Sequence, residues 1–188
     1  MDASPIIQLV IILILLALSA FFSSSETALT TVNKHKLRTL VDEGNKRAAK
    51  VIKVTENSGK LLSTILIGNN IVNISASSLA TTLCTRVLGN KYIGIATGVL
   101  TLFVLIFGEI TPKTLATRYS IKLSLMFVYP ISILMVIFTP IIWLLNILTG
   151  IIFKILRVNP NENANAMTES ELRTIVDVSQ EEGVIEQE

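Results

Sequence analysis

The chain has 188 residues, of which 51% are hydrophobic and 16% charged, and its mean hydropathy is +0.63. These values exclude an ordinary soluble domain and indicate a membrane protein with several spans. The net charge of +2, with few aromatic residues, argues against nucleic-acid binding, and one cysteine and one histidine exclude a disulfide framework or a Cys/His zinc site.

The first apolar run covers residues 5–22, close to the ~20 residues that a helix needs to cross a bilayer core. A cleaved signal peptide is disfavoured, because Asp2 replaces the basic start and Leu18 stands where a small residue is needed before Ala20. Residues 23–31, rich in serine and threonine, continue the helix without proline or glycine. Two interpretations remain open for them: hydroxyls that bond back to their own helix, or a serine that is an ion ligand.

Residues 33–60 form a hydrophilic segment with eight basic side chains, which places it in the cytoplasm by the positive-inside rule. Apolar residues recur at helical spacing on both sides of the breaker Gly44-Asn45. This pattern predicts two short amphipathic helices on the inner membrane face.

The second predicted span, residues 61–89, is unusually polar for a membrane helix. Asn69 and Asn73 are four residues apart and so share a helix face. Positions 63, 70 and 77 repeat every seven residues and Asn73 lies three from Asn70, so these also share a face. Amides in hydrocarbon need partners, so a coordinating or pore-lining role is predicted for the asparagines, whereas the serines and threonines fit close helix packing.

The third predicted span, residues 92–110, ends in Gly108-Glu109-Ile110-Thr111-Pro112-Lys113. A carboxylate at membrane depth indicates a functional site by default. Pro112 has no N–H and is therefore expected to leave the Gly108 carbonyl without its helical partner. A carboxylate beside a free carbonyl predicts a cation site, with Pro112 and Lys113 as structural or gating residues.

A further apolar run, residues 123–155, decides the topology, because a full crossing would place the basic residues after it on the outside. Pro130 and Pro140 are expected to interrupt it. The charges favour a bent segment that does not cross, giving three crossings with the N-terminus outside and the C-terminus cytoplasmic. Four crossings is the alternative.

Residues 159–163 are predicted to be a linker, and Thr168-Glu169-Ser170-Glu171 has the form of a capping box that begins an acidic helix. The expected domains are therefore a membrane domain over residues 1–157 and the start of a cytoplasmic helical region over 158–188. Since no finished domain follows, the chain is expected to belong to something longer.

The donors singled out above are all oxygens, which suit magnesium or sodium and disfavour softer metals. One carboxylate offsets only one of the two charges of magnesium, so weak binding and easy release are expected, as transport requires. No phosphate-binding loop is present, and no base accompanies the serines as a hydrolase would need, so an enzyme is not predicted.

Three segments, residues 22–29, 68–73 and 107–113, resemble the signatures of the transmembrane domain of the CorC/CNNM magnesium transporter family, in the family's order. The resemblance implies an all-α membrane protein of the plasma or inner membrane. It also implies a dimeric bundle with three transmembrane helices, cytoplasmic-side juxtamembrane helices and the proline-broken apolar segment.

The same resemblance implies that the homodimer exports magnesium in exchange for sodium, by alternating access. Nucleotide would act only through regulatory domains that this chain lacks. The alternative is a membrane-embedded magnesium sensor or scaffold that moves no ions. By position, the implied ion ligands are Ser23, Asn69, Asn73, the Gly108 carbonyl and Glu109, with Asn70 and Ser63 as further candidates and Glu26 in a sodium-linked role.

Overall fold

The computed structural model describes residues 4–156, apart from the side chains at positions 88 and 90, and all regular elements in that range are helical. The α-helices are α1 (Pro5–Thr31), α2 (Lys34–Asp42), α3 (Lys46–Glu56), α4 (Ser58–Leu88), α5 (Ile93–Phe103), α6 (Thr111–Arg118), α7 (Ser120–Ile137) and α8 (Thr139–Ile155). A short 3-10 helix, Asn90–Tyr92, precedes α5, and a π-helix, Val104–Ile110, joins α5 to α6. The expected linker, capping box and boundary at residue 157 lie outside the described residues.

The first helix confirms that the apolar run continues through the serine cluster. Ser4 caps α1 by accepting a hydrogen bond from the amide of Ile7, and Pro5 occupies the first turn, where a missing N–H costs nothing. With 27 residues, α1 is about 40 Å long, which exceeds the ~30 Å bilayer core. Its serine-rich end and its apolar start are therefore parts of one continuous helix.

Both short amphipathic helices predicted for residues 33–60 are present. Asn33 and Asn45 cap α2 and α3, each accepting hydrogen bonds from two backbone amides. Gly44, with φ of 89°, makes the turn between them, a conformation that favours glycine. Leu37 and Val51 are fully buried, so both helices pack onto the bundle through their apolar faces.

Three helices in the described range are long and apolar enough to cross a membrane: Pro5–Thr31, Ile93–Arg118 and Ser120–Ile137. Three crossings were also predicted, but these are not the same three segments. Ser120–Ile137 is included, and the predicted span over residues 61–89 is not. The predicted second span is a single helix, α4, of 31 residues and about 46 Å, yet its amides and hydroxyls make it too polar to be counted by composition. Its length still suits a crossing.

Of the two prolines expected to interrupt the last apolar run, only Pro140 lies at an interruption. Pro130 does not interrupt the last apolar run: it lies inside α7, where the fully buried neighbours Val128 and Ile131 hold the helix together by packing. The interruption comes at Phe138, and Pro140 is the second residue of α8. The third span was predicted to end at residue 110, but the helical path continues through Pro112 to Arg118.

The core of the bundle lies around the C-terminal half of α1, where Phe22 and Leu29 pack with residues of α2, α3, α4 and α7. Elsewhere large apolar side chains face outward, and α5 buries none of its residues. Such extensive exposed apolar surface requires lipid or a partner chain around it. The contacts divide the chain into a unit up to Trp143 and a second from Leu144, and the candidate site belongs to the first.

Candidate ion-binding site

The site forms where α1, α4 and the π-helix meet at the middle of the bundle. Gly68 of α4 lies so close to α1 that a Cβ there would overlap the ring of Phe22. Gly108 of the π-helix lies against Ser19, whose hydroxyl oxygen would be 3.0 Å from a Cβ at position 108. These two glycines allow three helices to approach at backbone distance, as small residues do in membrane bundles.

Polar side chains from all three elements converge at this point. The Ser19 hydroxyl donates to Asn69 Oδ1 at 3.3 Å, and Asn73 Nδ2 donates to the same oxygen at 3.4 Å. Asn73 Nδ2 also donates to Glu109 Oε1 at 3.5 Å, and the Ser23 hydroxyl donates to the backbone carbonyl of Glu109 at 3.4 Å. All four hydrogen bonds are long, so the oxygens are held near each other without being drawn tightly together.

One acceptor in this cluster lacks a partner. Asn73 Oδ1 is buried and accepts no hydrogen bond, although a buried acceptor left unpaired costs roughly 1–3 kcal/mol. Its own amide nitrogen stands between the oxygens of Asn69 and Glu109. A rotation of this side-chain amide would direct a third oxygen at the same point, so the cluster can present three oxygens to a cation.

One serine of the cluster at residues 23–25 bonds back to its own helix, whereas another reaches a neighbouring helix. Ser25 donates to the carbonyl of Phe21 in its own helix at 2.7 Å, as a back-bonding serine does. Ser23, fully buried, instead reaches across to the π-helix. Within this cluster, therefore, Ser23 is the hydroxyl of the signature segment that points at the site.

The structure brings five predicted residues together and leaves two apart. Hydrogen bonds join Ser23, Asn69, Asn73 and Glu109, and Gly108 packs against Ser19 beside them. A ligand role for the Gly108 carbonyl stays a prediction. Asn70 is exposed on another side of α4, and Ser63, partly buried, precedes Asn69 by more than a helical turn. A ligand role for Asn70 and Ser63 stays a prediction.

Two features of the site escaped the sequence. Ser19 is almost fully buried and orients Asn69; its spacing of four residues before Ser23 was the available signal, because it places both hydroxyls on one face of α1. The π-helix was the second. Its amide-to-carbonyl spacing of five residues, seen between Thr111 and Ile106, widens the turn that carries Glu109, and π-helical turns occur frequently at functional sites.

An ion pair lies one turn from the site, between Glu26 of α1 and Lys113 of α6. The Lys113 ammonium is 3.2 Å from Glu26 Oε2, and both side chains are nearly half exposed. Pro112, which is buried, precedes this lysine in the first turn of α6. The pair joins the C-terminal part of α1 to α6, the helix that follows the π-helix.

On the other side of the site, α4 continues with a polar face. Asn73, Ser77, Ser78, Thr81 and Thr82 line an open cleft of about 570 Å³. The far ends of α1 and α4 and the neighbouring α5 enclose a separate apolar cavity of about 660 Å³, which no candidate ligand lines. The polar cleft, and not the apolar cavity, continues from the cluster.

Among residues 4–156, no three His, Cys, Asp or Glu side chains gather in one place. A carboxylate, two amides and two hydroxyls are the donors that the cluster offers. Such hard oxygen donors suit cations of the magnesium and sodium type.

Comparisons with known proteins agree with this architecture. The family model of the cyclin M (CNNM) transmembrane N-terminal domain matches residues 10–188. A UPF0053 protein of Haemophilus influenzae is 45% identical over 177 residues, which cover 94% of this chain and 42% of that protein. The UPF0053 inner membrane protein YfjD of Escherichia coli is 39% identical over 85% of this chain and 37% of its own length.

A more distant relative, the polyamine export protein of Escherichia coli, is 28% identical over 95% of this chain and 42% of its own length. The chain thus spans less than half the length of each of these relatives.

Proposed function

The chain belongs to the cyclin M transmembrane domain family, and on that premise we propose that it is the membrane part of a magnesium exporter driven by sodium. Magnesium would be the transported substrate and sodium the coupling ion, in a homodimer of the plasma or inner membrane. The observation that carries the proposal is the unpartnered Asn73 Oδ1 beside the Glu109 carboxylate.

The Asn73 amide nitrogen lies between the oxygens of Asn69 and Glu109, at the position that we assign to the cation. When magnesium enters, rotation of this amide exchanges N–H for oxygen and removes the cost of the orphaned acceptor. The change requires no backbone movement. Ser19 and Ser23 keep Asn69 and the Glu109 backbone in position during the exchange.

The donor set favours release as much as binding. Glu109 supplies one negative charge against the two of magnesium, and amides and hydroxyls supply the remaining ligands as neutral dipoles. Magnesium gives up its waters reluctantly and normally keeps several, so a site with few protein ligands holds it loosely. Loose binding allows the ion to leave when the site opens to the other side.

Alternating access requires the site to face each side of the membrane in turn. The polar cleft of α4, lined from Asn73 to Thr82, supports a route toward the end of α4 where the chain turns at Gly89. The basic residues of α2, α3 and α6 support a cytoplasmic location for the opposite end. The site would therefore take magnesium from the cytoplasm and release it along this face of α4.

The direct test is magnesium flux by the full-length protein in sealed vesicles that contain a magnesium-sensitive dye. Glu109→Gln is expected to lower the initial rate at least about tenfold, because bonds to a charged group are worth about 1.5–3 kcal/mol. Glu56→Gln, at an exposed position of α3, makes the same chemical change away from the site and should leave the rate unchanged. Wild-type flux in the Glu109→Gln protein would overturn the proposal.

A membrane sensor that binds magnesium without moving it is distinguished by the same assay, since it would show saturable binding but no flux with or without a sodium gradient.

Polyamine export is a second transport candidate, favoured by the relative of that name. An extended polycation needs several acceptors in a row, which the hydroxyls after Asn73 on α4 could supply. Polyamine uptake that competes with magnesium and fails in Thr81→Val/Thr82→Val, but not in Glu109→Gln, would favour it.

A further inference from the structure

A second polar cavity lies at the opposite end of α1 from the polar cleft and takes no part in the site described above. It has a volume of about 560 Å³ and is formed where α1 passes into α2 and where α6 passes into α7. Lys36, Arg118 and Lys122 line it, and no acid is among its described lining residues. Three positive charges around one concavity repel each other unless an anion joins them.

None of these three bases has an acidic partner within residues 4–156, whereas Lys113, one helical turn before Arg118, is paired with Glu26. Their positions are fixed by the fold. Lys36 precedes Leu37, which is fully buried in the core, and Arg118 and Lys122 lie on either side of the tight junction between α6 and α7. The concentration of charge is therefore built in and does not depend on mobile loops.

The position of this cavity points to the class of anion. Arg118 and Lys122 lie at the facing ends of two helical stretches that are apolar and long enough to cross a membrane. An apolar wall of Leu40, Ile121 and Leu125 accompanies the bases. The ring of Tyr119, 54% exposed, also lines the cavity and is of the type that lies at lipid headgroup level.

We propose that this cavity binds the phosphate group of an anionic phospholipid of the inner leaflet. Lys36, Arg118 and Lys122 would contact the phosphate, and the apolar wall would accept the start of an acyl chain. The combination of basic and apolar lining favours a lipid over a free phosphate, which would use only the bases. The proposal depends on the cytoplasmic location of this end of α1, but not on which ion the protein carries.

The lipid would act as a clamp between α2 and the α6–α7 junction. Both elements line the cavity, so a bound headgroup would bridge parts of the chain that are more than 80 residues apart in sequence. Anionic lipid is therefore expected to raise the thermal stability of the purified protein. Bases near an anionic lipid surface each contribute about 1 kcal/mol, or roughly fivefold in affinity.

The test is thermal unfolding of the full-length protein in detergent, titrated separately with phosphatidylglycerol, phosphatidylcholine, glycerol phosphate and inorganic phosphate. Phosphatidylglycerol alone should raise the unfolding temperature. The variant Lys36→Gln/Arg118→Gln/Lys122→Gln should lose this response. The matched control Lys46→Gln/Arg47→Gln/Lys53→Gln, which removes the same charge from exposed positions of α3, should keep it.

Three outcomes would overturn the proposal. An equal response to inorganic phosphate would assign the cavity to a soluble anion, and an equal loss in the control would show only diffuse charge attraction. A wild-type protein indifferent to phosphatidylglycerol would exclude a lipid site altogether. If the triple variant does not fold, the single variants Lys36→Gln and Lys122→Gln should each weaken the half-saturation point about fivefold, and unchanged values would count against it. Magnesium flux by Glu109→Gln is independent of all these results.

Discussion

The backbone of Gly108 packs directly on Ser19, so that a Cβ at position 108 would lie 3.0 Å from the Ser19 hydroxyl oxygen and 3.3 Å from its Cβ. Through this contact the π-helix that carries Glu109 reaches the helix that carries Ser23. The same hydroxyl donates to Asn69, so one serine links the closest backbone approach to the polar cluster. The position of the carboxylate therefore depends on the absence of a side chain at residue 108.

Gly108→Ala is expected to weaken magnesium binding at least about fivefold, because the added methyl pushes the π-helix from Ser19 and overpacking costs about 1–3 kcal/mol. Gly98→Ala is the matched control, since a Cβ at position 98 of α5 meets no atom within 4 Å. Magnesium-dependent thermal stabilisation of both variants measures the effect. Equal half-saturation points in the two variants would contradict the predicted role of the contact.

Ser19→Ala should also weaken magnesium binding, by roughly three- to tenfold, because Asn69 loses a hydrogen bond worth about 0.5–1.5 kcal/mol that orients it. Ser25→Ala is its control, since this serine is equally buried but bonds only to its own helix. Isothermal titration of both proteins with magnesium compares them. A larger loss in Ser25→Ala than in Ser19→Ala would place the important hydroxyl elsewhere on α1.

The unpartnered oxygen of Asn73 predicts different effects for two asparagines three residues apart. Asn73→Ala removes the unpartnered acceptor and also the hydrogen bonds from Asn73 Nδ2 to Asn69 and Glu109, so we expect little change in stability without magnesium. Because a ligand is lost, the magnesium concentration that half-saturates thermal stabilisation should rise at least about tenfold. Asn70→Ala, on an exposed position of the same helix, should behave as wild type. A larger loss of magnesium-dependent stabilisation in Asn70→Ala than in Asn73→Ala would instead place the site on the face of α4 that carries Asn70.

The residue types of the site could be predicted from the sequence, but their grouping only in part. Spacing of four residues puts Asn69 and Asn73 on one face of α4, and the structure directs that face to Glu109. Nothing in the spacing says which face of a polar helix meets its neighbours, so only the family resemblance placed Asn69 ahead of Asn70. The choice is made by Gly68, which sets the rotation of α4 against Phe22.

The π-helix, and the fact that Pro130 lies inside a helix, could not be predicted, because both depend on tertiary packing. A run such as Val104–Ile110 has ordinary helical composition, and its close approach to α1 at Gly108 is not visible in the sequence. Pro130 in α7 is retained by buried neighbours that no local rule includes. The first and third predicted spans coincide with long apolar helices, but Ser120–Ile137 is also long and apolar enough to cross, although its segment was not expected to. The helix α4 falls below that hydropathy because its polar residues belong to the site and the cleft.

The Glu26–Lys113 pair is predicted to act as a tether between α1 and α6. Lys113→Glu should lower transport by placing two carboxylates together, and the swapped double variant Glu26→Lys/Lys113→Glu should restore at least half of the wild-type rate. An exposed pair is worth only about 0.2–1 kcal/mol, so the unfolding temperature should change little in either protein. If the swap instead abolishes the sodium dependence of flux, Glu26 has the sodium-linked role that the family resemblance implies.

The last prediction concerns the contact that sets the rotation of α4. A Cβ at Gly68 would overlap the ring of Phe22, and Phe22 is itself buried in the core, so the ring cannot move aside freely. Gly68→Ala is therefore expected to lower stability by about 1–3 kcal/mol, despite the higher helix propensity of alanine. Adding Phe22→Leu to Gly68→Ala makes room for the new methyl and should recover part of the lost stability.

The control, Gly59→Ala near the start of α4, fills open space and should leave the protein as stable as wild type or slightly more so. Thermal unfolding in detergent ranks the four proteins, and a Gly68→Ala protein that unfolds at the wild-type temperature would mean that the α1–α4 contact is looser than the structure has it.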